Sequence, residues 1–182
     1  MRQGPDRRPA LWLALLVAAS VAFTLGFACA MPYAGLGAAA AATLRRRDAL
    51  LFTLAAWLAN QIVGFAVLGY PWTANALAWS PAFAVVALLT TFAAQGLVGR
   101  TARPGALTMV VTFLGAFVVY EGALFVIAAT LLGGTDVYTA PIIARVFAIN
   151  AAAFVLLLVF NRVGTAIGLA VAPRLRFATD AH

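Results

Sequence analysis

The sequence predicts an all-α integral membrane protein of six transmembrane helices, with both termini on the cytoplasmic side, and three observations lead there. Of 182 residues, 65% are hydrophobic and only 9% charged, and the mean hydropathy is +1.02, whereas a soluble domain carries about 25% charged residues. The apolar residues fall in runs long enough to cross a hydrocarbon core of ~30 Å at 1.5 Å per helical residue. All twelve basic residues are arginines, gathered in short clusters between those runs, the distribution that sets membrane topology rather than a basic face for nucleic acid.

The first span covers 11–30. Arg2, Arg7 and Arg8 precede it and mimic a secretory signal, but the stretch is long and further spans follow, so it reads as a retained helix. Small residues recur along it at every fourth place, Ala14, Ala18, Ala22 and Gly26, then Ala30 and Ala34. Such a stripe lets a second helix backbone approach, whether that helix belongs to this chain or to another protein. Cys29, alone in the chain, permits no internal disulfide and reads as a small packing residue. Met31-Pro32-Tyr33 interrupts the helix. The second span, 32–44, is short, because eleven helical residues cover only about 16 Å; it must tilt, pack inside the bundle, or extend back through Tyr33.

Arg45-Arg46-Arg47-Asp48 is a basic turn. The third span, 49–69, carries Asn60 and Gln61 near its middle and ends in Gly69-Tyr70-Pro71-Trp72. An uncharged, aromatic-rich loop leads to Trp79 and Pro81, which open the fourth span, 79–99, with proline in its first turn. Arg100 and Arg103 make the next connection basic. The fifth span, 106–132, carries Tyr120-Glu121-Gly122 in its second half, and Gly133-Gly134-Thr135-Asp136 is a turn by composition. Thr139 as cap and Pro141 in the first turn open the sixth span, 141–162, before a cytoplasmic tail, 163–182, with Arg174 and Arg176. No repeat of fixed period divides the chain, so one domain is expected.

With six spans, every arginine-bearing connection falls on one side of the membrane, while the three opposite connections hold no Arg or Lys. The positive-inside rule makes the basic side cytoplasmic. Asn60 and Gln61 then lie about 15 Å along an outward-running helix, and Glu121 roughly 23 Å along another. Arg145 and, one to two turns deeper, Asn150 sit on the inward-running sixth helix. Polar groups from different helices at neighbouring depths predict one cavity, capped by Tyr33, Tyr70, Trp72, Trp79 and Tyr138 from the outer connections. A second reading stands beside this one. Glu121 and Arg145 would pair, since a lone ion in the apolar zone costs about 3 kcal/mol or more, and the amides would bond between helices. Gln95, lower on the fourth helix, reads as a packing contact.

Catalysis finds little support. The sole histidine is His182, no phosphate-binding GxxxxGK[ST] loop occurs, Ser20 has no basic partner, and Glu121 is the only carboxylate inside a span, so neither an acid-base pair nor a metal cluster is expected. No cofactor is implied.

Six spans in so short a chain, the small-residue stripe, the brief second helix after a proline break and the run MPYAGLGAAAAATLRRRDALLFTLAAWLANQIVGF together resemble the substrate-binding S components of energy-coupling factor vitamin transporters. That resemblance implies capture of a vitamin or related micronutrient from outside the cytoplasmic (inner) membrane of a bacterium. It implies a pocket of Trp79, Tyr120, Glu121, Arg145 and Asn150 with Asn60 as its floor. It further implies that Ala14, Ala18, Ala22 and Gly26 dock on a transmembrane coupling protein driven by separate ATPases. The third-helix amides sit deeper than the usual ligands of that family, and no motif points to one vitamin. The competing expectation is a membrane scaffold resembling cell-shape or envelope-assembly proteins, with the polar groups as interhelical glue.

Overall fold

The computed structural model describes residues 8–26, 32–101 and 105–168. Their six α-helices are α1 (Arg8–Gly26), α2 (Tyr33–Thr43), α3 (Arg46–Ala66), α4 (Ala74–Val98), α5 (Ala106–Ile127) and α6 (Ala140–Ala166), with no strand among the described residues. A π-helical turn, Ala128–Leu132, prolongs α5, and a 3-10 turn, Thr135–Val137, precedes α6. Four helices are long and apolar enough to cross a membrane: α3, α4, α5 with its π turn, and α6. Their outer faces carry large apolar side chains such as Ile62, Val118 and Leu131. Exposed apolar surface on several helices at once suits lipid rather than water.

The bundle is built around α2, whose residues from Tyr33 to Ala40 are all buried. Its sequence, YAGLGAAAAAT, explains why: glycine and alanine let neighbouring backbones approach from every side. A Cβ on Gly35 would fall on the backbone carbonyl oxygen of Asn150 in α6, and one on Gly37 would lie 2.8 Å from Thr91 Oγ1 in α4. These contacts allow α4, α5 and α6 to enclose the short helix.

Burial at both flanks raises the question of the helix's own N-terminus, where the first N–H groups have no intrahelical acceptor. The first backbone bond of the α2 helical ladder runs from Leu36 N–H to Pro32 O, which leaves the Gly35 N–H outside it. That N–H donates to Asn150 Oδ1 at 2.9 Å, and Asn150 Nδ2 donates to Val146 O at 2.9 Å. One buried amide thus caps α2 from a neighbouring helix.

Other polar side chains join the long helices. Thr53 and Thr91 hydroxyls lie 2.9 Å apart between α3 and α4, Trp57 Nε1 donates to Ser80 O at 2.9 Å, and Gln95 Nε2 donates to Arg46 O at 3.0 Å. Gln95 is a packing contact, as its position in the sequence suggests. On α1, Trp12, Leu16 and Ser20 are buried, with Trp12 stacked on Phe160 at 5.1 Å. Ala14, Ala18 and Ala22 are exposed on the other face, and Gly26 ends the helix.

The element boundaries differ from the expected spans: α1 starts at Arg8 rather than 11, and α3 runs from Arg46, inside the expected basic turn, to Ala66 rather than 69. The fourth helix starts at Ala74 rather than Trp79, because Thr73 caps it through a bond from Ala76 N–H at 3.3 Å; Pro81 therefore sits inside the helix. The sixth helix continues through Ala166, into the expected tail. Thr139 occupies its N-cap without a side-chain bond, while Pro141 lies in the first turn as expected. Cys29, and Arg174 and Arg176 of the tail, lie outside the described residues.

Replacing Asn150 with Ala should lower stability by about 1–3 kcal/mol, the cost of a buried N–H left without a partner. Gly35→Val should be more damaging, since it forces two backbones apart. Unfolding of the purified protein in mild detergent checks both, and an Asn150→Ala protein as stable as the parent would show that α2 does not depend on this cap.

Candidate functional site

Because α2 begins partway through the bundle, the four long helices continue beyond it with no helix between them. Tyr33, the first residue of α2, meets Phe83 of α4 and Tyr120 of α5 with ring centroids 6.5 Å apart in each pair. Beside this aromatic layer lies a cavity of about 550 Å³ lined from α3, α4, α5, α6 and the connections that join them. It sits at the end of the bundle where α3 finishes and α4 starts. The connections there, 67–73 and 133–139, contain no arginine, whereas Arg45, Arg46, Arg47 and Arg100 occupy the opposite end.

The cavity has a polar part and an aromatic part. Asn60 and Gln61 enter from α3 and Glu121 from α5, while Phe65, Trp79 and Phe83 contribute rings. Asn60 is 3% exposed and Tyr33 1%. The Tyr33 hydroxyl lies close enough to the Asn60 and Gln61 amides to interact with them, yet neither this hydroxyl nor Asn60 Oδ1 completes a hydrogen bond of good geometry. A buried acceptor without a donor costs about 1–3 kcal/mol.

Local chain geometry shapes the mouth. Gly69 adopts φ +71°, which turns the chain back so that Tyr70 N–H donates to Gly64 O at 3.0 Å. The Tyr70 ring then lies directly on Gly64, where any side chain would collide with it. Across the mouth, Asn75 Nδ2 donates to Leu132 O at 3.0 Å, giving a partner to a carbonyl at the end of the π turn. Gly133 and Gly134, at φ +77° and +93°, carry the chain over the opening. Tyr138 follows, edge-on to Phe125 at 5.1 Å. Burial, and next the negative charge of Glu121, push its phenol up to about 12.

Of the residues expected to bind a solute, Asn60, Gln61, Tyr70, Trp79, Tyr120 and Glu121 line this cavity together. Trp72 stays outside, packed on Phe65 at 4.7 Å and 73% exposed. Arg145 is exposed on α6 and forms no ion pair with Glu121 among the described residues. Asn150 lies deeper, committed at both ends of its amide to backbone groups. Tyr33 belongs at the inner end of the cavity rather than over its mouth, because α2 starts inside the bundle. Phe65 and Phe83 escaped the sequence reading, although each stands four residues after a named site residue, Gln61 and Trp79, and so shares its helix face.

No three His, Cys, Asp or Glu side chains gather as a metal-binding group among the described residues. Comparison of the chain with family models, curated proteins and solved structures yields no match.

Since the folded protein holds Tyr138 neutral beyond its ordinary value of 10.0, its contribution to stability is fully present below about pH 10. It should be lost as pH rises from there through about 12, because the unfolded chain releases that proton first. Ultraviolet titration of the parent against Tyr138→Phe should show this tyrosine ionising near pH 12 rather than near the ordinary 10.0; ionisation near pH 10 would place Glu121 and the protein interior farther from it.

Proposed function

We propose that this chain is the solute-binding subunit of an uptake system in the cytoplasmic membrane of a bacterium. In this reading six helices cross or enter the bilayer with both termini inside, α2 reaching only part of the way. The cavity then opens outward, and its floor lies near the depth of Asn60. The observation that carries the proposal is the coincidence of a cavity of about 550 Å³, well within the ~300–1,000 Å³ of small-molecule sites, with the polar side chains of Asn60, Gln61 and Glu121 among its aromatic lining.

The uptake role further requires an energy source, and the chain has no nucleotide-binding loop. Separate ATPases and a coupling membrane protein would supply it. The outward face of α1 is open to such a partner: Ala14, Ala18 and Ala22 are exposed there together with Leu11 and Leu15. The solute would be a vitamin or comparable micronutrient.

Mass spectrometry of small molecules released from the protein purified in mild detergent tests the reading, and one dominant compound of fixed stoichiometry is expected. Leu124→Trp, which fills the cavity from a buried wall position, should abolish its retention while helical content and unfolding temperature stay near those of the parent. Retention undiminished in a folded Leu124→Trp protein would place the solute elsewhere.

A further inference from the structure

We infer that the cavity selects a small organic cation carrying an aromatic or similarly flat apolar group. This rests on the solute-site reading above and adds the charge and shape of the solute.

The argument begins with Glu121. It is the one carboxylate among the lining residues, and the lining includes no Arg, Lys or His. Arg145, the nearest basic residue in sequence on a neighbouring helix, is exposed and pairs with nothing in the cavity. A lone carboxylate inside an apolar span costs about 3 kcal/mol by insertion measurements. Compensation can come from a proton, from water or from a cation that enters the cavity, whereas an entering anion would meet repulsion with no cation to offset it.

The neutral lining residues point the same way. The Asn60 and Gln61 amides line the same cavity and bring no positive charge that would favour an anion. Trp79, Tyr120 and Tyr138 add π systems, whose negative faces attract cations, and whose edges and faces stack on flat groups. Carboxylate and aromatic rings thus share one electrostatic preference.

Three size-matched probes separate the possibilities: 3-phenylpropylammonium, 3-phenylpropanol and 3-phenylpropionate. Each is measured by equilibrium dialysis against the full-length protein in detergent, with the plugged Leu124→Trp protein as the blank for partition into micelles. The ammonium should bind at least about tenfold more tightly than the alcohol or the carboxylate, the scale of one compensated charge. Glu121→Gln should remove the preference for the ammonium over the alcohol. Equal or tighter binding of the alcohol or carboxylate by the parent protein overturns the inference of a cation and leaves the solute site standing. No binding of any probe above the plugged blank overturns the solute site as well. The comparison among the three probes is made on the unaltered protein, so it decides the matter even if Glu121→Gln fails to fold.

Discussion

A backbone that starts a helix in an apolar interior must find acceptors for its first N–H groups without help from water. That constraint falls on α2, and Asn150 meets it at Gly35. The bond needs the two helices in close contact, which glycine at 35 permits and any side chain there would prevent. Composition, packing and capping are therefore one arrangement: a Gly/Ala helix can be enclosed, an enclosed helix can be short, and a short helix needs a polar group at its buried end. The hollow beside Tyr33 follows from the same fact. Four helices of 21 to 27 residues surround one of 11, and the difference in length becomes space.

Two asparagines illustrate how the same side chain serves opposite ends. Asn150 is 1% exposed and its oxygen and nitrogen both meet backbone partners; its removal would strand a peptide group. Asn60 is 3% exposed, yet its oxygen meets none and it borders the cavity. Stability alone would favour an apolar residue at position 60, since a buried unsatisfied oxygen is a net cost. Thr90 Oγ1, Gln95 Oε1 and Thr112 Oγ1 carry the same cost away from the cavity, so it is the place of Asn60 in the lining that sets it apart. The distinction between the two residues lies in their surroundings and not in their chemistry.

That distinction also marks the limit of what the sequence reveals. Polar residues in apolar runs stand out by composition, so Asn60, Gln61, Tyr120 and Glu121 could be found together, and depth along each helix followed from the rise per residue. Rotation about the helix axis could not be read as well, because α6 has apolar residues around much of its circumference. Arg145 and Asn150 shared the right end of the chain's topology with Glu121 but point respectively to the exterior and to α2. The brevity of α2 was legible from the spacing of Pro32 and Arg45, whereas its central position was not: an alanine-rich segment reads equally as lipid-facing or enclosed. Pro81 misplaced the start of α4 because proline favours first turns in general, while Thr73 held the actual cap.

The packing beyond the cavity restricts what the protein can do with a bound solute. On the arginine-bearing side of Tyr33, the bundle is filled by α2 and by residues such as Phe52, Val86 and Ala87, at 2% exposure or less. Close contacts at Gly35 and Gly37 leave little room for side chains there to move aside. A solute entering past Tyr70 and Tyr138 therefore meets a closed floor. A path through the bundle would require α2 to give up both its enclosure and its cap at Asn150. The long helices, joined by Thr53 to Thr91 and by Gln95 to Arg46, hold that floor shut from the sides. On the uptake reading proposed above, net movement of a solute would accordingly draw on a rearrangement larger than the swing of a side chain.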